Sequence, residues 1–182
     1  MGKFIIASDI HGSGYWCEKL LDAVMAEEPQ KVLLLGDLLY HGPRNPLPDG
    51  HDVKRVIELL SSIKEKLICV RGNCDAEVDQ MVLPFPCLAD FSLFSFDERT
   101  FYLTHGHLFS LQNLPPMASG TVLLNGHTHI PCYQKLGGIH YANCGSVALP
   151  KEDSPHSYIL YEDGKLYWKD LETGGIFDVE TL

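Results

Sequence analysis

Lys3-Phe4-Ile5-Ile6-Ala7-Ser8-Asp9-Ile10-His11 places a short apolar run directly before a carboxylate and an imidazole. The arrangement recurs along the chain. Val32-Leu33-Leu34-Leu35 runs into Gly36-Asp37, and Leu67-Ile68-Cys69-Val70 into Arg71-Gly72-Asn73. Phe101-Tyr102-Leu103-Thr104 leads to His105-Gly106, and Val122-Leu123-Leu124 to Asn125-Gly126-His127-Thr128-His129. Runs this short and this apolar read as strands buried on both faces. In an open α/β sheet, ligands bind in the crevice beyond the carboxyl ends of the strands. All five polar clusters therefore converge on one place.

Between the runs, the first half of the chain alternates strand and helix. A strand over Lys3 to Ala7 precedes a helix from about Gly14 to Ala26, whose Leu20, Leu21 and Val24 fall on one face. A second strand spans Lys31 to Leu35. The Pro/Gly-rich loop His41 to Gly50 follows, and its length suggests a functional segment. The spacing of Val53, Val56, Ile57 and Leu60 predicts a helix from Asp52 to Ile63. A third strand is expected to end at Asn73, with a short helix over Asp75 to Met81. The second half reads as hairpins: Phe91 to Phe96 with Arg99 to Thr104, two strands about Gly137-Gly138, and Ser157 to Tyr161 with Lys165 to Asp170. Strand–helix units followed by hairpins imply a mixed sheet in one α/β domain over residues 1–182.

Composition narrows the partners. The 182 residues are 45% hydrophobic and 21% charged, which is globular. A net charge of −10 without a Lys/Arg run argues against nucleic acid as partner. No apolar stretch approaches the ~18 residues of a membrane span. Met1-Gly2-Lys3 leads straight into an apolar run with no secretory leader, and the six cysteines contain no CxxC pair, so a cytoplasmic location is expected. Self-association into a homo-oligomer is compatible with this sequence.

The donor set is Asp, Asn and His without thiolate. It suits Mn²⁺, Fe, Zn²⁺, Co²⁺ or Ni²⁺ and does not choose among them. Asp9 and His11, like His127 and His129, stand two apart, so an extended backbone would aim each pair to one side. Gly36, Gly72 and Gly126 stand just before ligand candidates, where a missing Cβ permits a sharp turn.

The blocks D-x-H, G-D, G-N-x-D, G-H and G-H-T-H occur in the order of the calcineurin-like metallophosphoesterase superfamily, which the chain resembles from Asp9 to His129. The stretches Asn73 to Met81 and His41 to Asn45 are similar to those of the small bacterial YfcE-type phosphodiesterases. The resemblance implies a four-layer α/β/β/α sandwich, two mixed sheets flanked by helices. It implies two divalent ions per chain, Mn²⁺ foremost. One would be held by Asp9, His11, Asp37 and His129, the other by Asp37, Asn73, His105 and His127, with Asp37 bridging. It also implies hydrolysis of a small phosphodiester by in-line attack of a bridging water, with inversion at phosphorus and with Asp37, Asn73, Cys74 and His105 at the reaction centre.

Cys74 departs from the wider superfamily, in which many members carry His after the Asn. A thiol is a weak donor, so good leaving groups are favoured. Asp75, which orients that His in relatives, loses its partner. Arg44 is a candidate for a substrate phosphate, balanced evenly against a surface arginine. Arg71 is as readily structural, and His107 reads as a loop histidine. His41, His51, His140 and His156 read as solvated. Phe85, Phe91, Phe94 and Tyr102 read as core. Asn143-Cys144-Gly145-Ser146 reads as a turn closing the site through its backbone.

A phosphomonoesterase, or a scaffold that keeps the fold without catalysis, as in the related retromer subunit, are the competing readings. A scaffold tends to lose ligands, whereas all are present here, and carboxylates buried without a cation are costly.

Overall fold

The computed structural model describes residues 2–182. The first sheet is built from β1 (Lys3–Ala7), β2 (Lys31–Leu34), β3 (Leu67–Cys69), β9 (Ser157–Glu162), β10 (Lys165–Asp170) and β11 (Ile176–Thr181), in the order β11-β10-β9-β1-β2-β3. The second contains β4 (Ser92–Phe96), β5 (Arg99–Leu103), β6 (Val122–Asn125), β7 (Pro131–Leu136) and β8 (Ile139–Cys144), in the order β4-β5-β6-β8-β7. Both sheets are mixed. β1, β2 and β3 are parallel while β9 runs against β1; β5, β6 and β8 are parallel while β4 and β7 run against their neighbours.

Alternation along β1 explains the layers. Phe4 and Ile6 point inward, where they meet Leu33, Phe101, Leu103, Val122, Leu124, Ile159 and Trp168 between the sheets. Ile5 and Ala7 point outward, onto Trp16, Leu20 and Val24 of α1 (Gly14–Glu27) and Val56 and Leu60 of α2 (Val53–Ser62). Both helices begin at side-chain caps. Ser13 Oγ accepts from Trp16 N at 3.1 Å, and Asp52 Oδ1 from Arg55 N at 3.1 Å. On the far side, Phe109, Leu111 and Met117 cover Tyr102, Leu123 and Tyr141. The expected sandwich of two mixed sheets flanked by helices is what the chain adopts, although this outer cover is irregular chain.

Several expectations need correction. The third strand ends at Cys69, not Asn73, because its backbone leaves the sheet. Arg71 N donates to Ala89 O at 2.8 Å and Gly72 N to Asp75 Oδ2 at 2.7 Å. The helix expected over Asp75 to Met81 shrinks to α3 (Glu77–Gln80). β11 is not among the expected strands: Phe177-Asp178-Val179-Glu180 alternates, but the run is short and every residue of the strand is at least partly exposed. His140 is buried, with Tyr133 Oη 2.7 Å from its Nδ1, and His156 is half-buried with its ring stacked 3.5 Å from Trp16. Phe91 is exposed, stacked on Tyr102, whereas Phe85 and Tyr102 are core.

Candidate metal centre

The parallel strands of both sheets deliver their following loops to one edge of the sandwich. Asp9 and His11 follow β1, Asp37 follows β2, Asn73 follows β3, His105 follows β5, and His127 and His129 follow β6. The paired residues do not converge through extended backbone. Asp9, His11, Asp37, His127 and His129 all lie in the left-handed region, with φ of 60°, 49°, 54°, 67° and 63°. Non-glycine residues rarely sit there, and clustered instances mark sites where surrounding structure holds strain for a purpose. Here β1, β2 and β6 end in tight turns that swing their donors over the sheet edge.

Glycine matters at two points of close approach. A Cβ on Gly72 would lie 2.0 Å from Asp37 Oδ1, and one on Gly126 would lie 2.6 Å from Asp9 Oδ2. Ligand loops from different strands thus touch through their glycines.

Second contacts fix the imidazoles. His11 Nδ1 lies 2.8 Å from Tyr40 O, His105 Nδ1 lies 2.7 Å from Leu35 O, and His129 Nδ1 is bonded to Leu149 O. A carbonyl only accepts, so each Nδ1 carries a proton and each ring, when neutral, presents its Nε2 lone pair to the centre. These lone pairs face one another and the carboxylates. His11 Nε2 is 3.3 Å from His129 Nε2. Asp9 Oδ1 is 3.2 Å from His129 Nε2 and 3.5 Å from His11 Nε2, while Asp37 Oδ2 is 3.4 Å from His105 Nε2. Asn73 Oδ1 lies 3.0 Å from His105 Nε2. Asp9 is completely buried, and its Oδ1 has no hydrogen-bond donor. Its other oxygen accepts from His127 N at 2.9 Å.

Such a knot of acceptors is stable only around positive charge, and the titration shifts say the same. Burial lowers the His105 imidazolium, but Asp9 and Asp37 outweigh it and hold the group up to about 9. Burial raises Asp9, yet His105, His11 and His129 hold its carboxyl well below the usual carboxylate range. A field that favours imidazolium favours a divalent cation equally. Three candidate ligand groups emerge, Asp9-His11-His129, Asp9-Asp37-His105 and His11-Asp37-Cys74, each with donor atoms within 4.8 Å of one another. His127 is half-buried with its ring centroid 5.0 Å from that of His105. The donor set fits a pair of metal ions.

Cys74 stands at the rim. Its backbone N–H donates to Asp37 Oδ1 at 2.8 Å, and Asn73 Nδ2 reaches its sulfur at 3.2 Å. Burial and the neighbouring Asp37 push the thiol up to about 12. Arg44 lines the cleft beside Asn45, Asn73, Cys74, His127 and His129, and so does Lys151, which sequence reasoning missed. No local pattern distinguishes Lys151; only the fold brings it to the ligands. His107 is half-buried, 5.4 Å from the His105 ring.

Asp75 was also under-read. Its carboxylate accepts from Asp37 N at 2.8 Å, Leu38 N at 2.9 Å and Gly72 N at 2.7 Å, which ties the loops after β2 and β3 together. Arg71 is structural, with Nε bonded to Asp75 O at 3.2 Å. The end of β8 and the turn after it close the site with side chains as well as backbone. Asn143 Nδ2 donates to Gly126 O at 2.6 Å, and Ser146 Oγ donates to Asp9 O at 3.0 Å.

Residues 3–164 match the calcineurin-like phosphoesterase superfamily domain, and the chain belongs to that family. It is a phosphoesterase by fold and family. More particularly, it is 44% identical over 166 residues to phosphodiesterase YfcE of Escherichia coli, covering 91% of this chain and 90% of that one. The solved structure of the E. coli phosphoesterase YfcE superposes with a TM-score of 0.96 at 41% identity, over 98% of both chains. Vps29 of Chaetomium thermophilum shares the fold alone, with a TM-score of 0.66 at 16% identity over 100% of this chain and 97% of that one. Among the described residues, no helix is long and apolar enough to cross a membrane.

Proposed function

We propose that the chain is a dinuclear metal-dependent phosphodiesterase acting on small phosphodiesters. The observation that carries this reading is Asp9 Oδ1, a buried carboxylate oxygen without a donor, ringed by imidazole Nε2 atoms. Asp9, His11, Asp37 and His129 would hold one ion, and Asp37, Asn73, His105 and His127 the second. When bound, the pair supplies Lewis-acid activation of water and neutralises charge on the phosphoryl group. The chain's own residues set the geometry around that chemistry. Tyr40, Leu35 and Leu149 carbonyls hold three imidazoles in one tautomer, and Asp75 holds the Asp37 and Asn73 loops in register.

Arg44 and Lys151 supply positive charge at the cleft mouth for a substrate anion. Cys74 keeps its proton and is a weak donor, so leaving groups that need little protonation react fastest. Displacement by water in line predicts inversion at phosphorus without a phosphoenzyme. Identity to a phosphodiesterase and the full ligand set both support this reading over a non-catalytic scaffold.

The test is metal analysis of the purified protein, followed by hydrolysis of aryl phosphodiesters and monoesters with Mn²⁺, then Ni²⁺, Zn²⁺, Fe²⁺, Co²⁺ and Mg²⁺. Diester turnover that needs a divalent ion is expected, with Mn²⁺ the most effective. Bound metal with no turnover of any diester would favour the scaffold.

A further inference from the structure

Beside the polar cleft lies a second cavity of different character. It has a volume of about 430 Å³ and is walled by Leu39, Tyr40, Val53, Ala76, Val78 and Cys74. The cleft that contains the metal ligands has about 480 Å³, and Cys74 lines both. One loop divides them: Leu39, Tyr40 and His41 face the apolar cavity, and Gly42, Pro43, Arg44 and Asn45 face the cleft. The loop is anchored to the centre, since Tyr40 O holds His11 Nδ1 at 2.8 Å. It also packs close to the partition, since a Cβ added to Gly42 would lie 3.1 Å from Cys74 Sγ.

Carbon dominates the lining, and the polar groups sit at its edges, His41, His51 and Asp79. Asp79 Oδ2 accepts from Ala76 N at 2.8 Å, and His41 O accepts from Asn45 Nδ2 at 2.8 Å. What remains is apolar surface with aromatic edges: Tyr40, 45% exposed, against His41, whose ring centroid is 4.8 Å away, and His51 beyond it at 5.8 Å. Val78 on α3 is 62% exposed at the lip. An apolar hollow with aromatic edges, one side chain away from a phosphoryl site, suits an aromatic ring attached to the phosphorus through oxygen.

We propose that this cavity is the subsite for an aromatic ester substituent of the diester, seated behind Cys74 while the phosphoryl group lies against the metal ligands. The inference rests on the phosphodiesterase reading, and its test separates the two.

Benzylphosphonate and methylphosphonate have no P–O–C bond to hydrolyse, and benzylphosphonate matches a phenyl ester in shape. Calorimetric titration of the Mn²⁺-loaded protein is expected to show benzylphosphonate binding about tenfold tighter or more, from burial of the ring. Val78→Glu sets a charge at the exposed lip without disturbing the core, and is expected to erase most of that preference. Equal affinity for the two phosphonates, or a preference unchanged in Val78→Glu, overturns the subsite. Turnover of bis(p-nitrophenyl) phosphate, followed in parallel, reports on the reaction by itself. Hydrolysis without a benzyl preference removes the subsite and keeps the phosphodiesterase, whereas the preference without hydrolysis removes the reaction and keeps an aryl-binding cavity.

Discussion

Asp75→Asn preserves the size of a buried side chain while changing its chemistry. In the parent, Oδ2 accepts from Asp37 N and Gly72 N, and Oδ1 accepts from Leu38 N. Asparagine can offer its oxygen to the first pair, but its NH₂ then faces the Leu38 N–H, donor against donor. A buried amide left without a partner costs about 2 kcal/mol, and the surviving bonds lose their ionised acceptor, about 0.5 kcal/mol each. The small second figure is appropriate because burial pushes the Asp75 carboxyl up against the pull of its three donors. The sum is about 3 kcal/mol, or about 6–12 °C in melting temperature for a chain of this length. The same bonds position Asp37 and Asn73, so affinity for divalent ions should fall about 10- to 100-fold, the usual consequence of losing an outer partner of a ligand. Urea unfolding and competition with a metal chelator measure the two effects separately. If Asp75→Asn unfolds within about 0.5 kcal/mol of the parent and binds Mn²⁺ as tightly, Asp75 is not the brace between these loops.

Cys74→His places a stronger proton donor beside the centre, so the dependence of rate on leaving-group pKa should become shallower across a series of aryl phosphodiesters; an unchanged slope would take Cys74 out of the reaction. Stripping divalent ions with a chelator should lower the melting temperature, since the facing lone pairs of His11 and His129 at 3.3 Å then lose the charge that holds them together; a melting curve insensitive to metal would contradict the centre described. His140 lies below its ordinary value of 6.5, first because it is buried and then because Lys135 and Arg99 are near. The folded state therefore keeps it neutral while the unfolded chain protonates, so its contribution is present above about pH 6.5 and disappears as pH falls through the depressed folded value. His140→Gln should flatten the loss of stability between about pH 7 and pH 5, and identical acid limbs in the two proteins would refute that assignment.

Much of the centre was legible from residue order, because a strand buried on both faces is a run of apolar residues and its ligand must come at the end of that run. Asp9, Asp37, Asn73, His105 and His127 each follow such a run, and the hairpins at Asp97-Glu98 and Glu162-Asp163-Gly164 show in turn residues between alternating strands. Other features carry little local signal. β11 alternates only over Phe177 to Glu180 and is exposed on both faces, and His140 is buried where β7 and β8 bring Tyr133 and Lys135 beside it. The role of Asp75 depends on where the loop after β2 lies, 38 residues earlier in the chain.

Chemical identity and strand ends are properties of neighbouring residues, so the amino-acid order alone determined the candidate donors and the edge at which they gather. The left-handed turns at Asp9, His11, Asp37, His127 and His129, the arrival of Lys151, and the apolar hollow behind Cys74 were decided by folding. Each arises where segments far apart in sequence come within a few ångströms, and backbone strain at a ligand is tolerated only once packing from both sheets holds it in place.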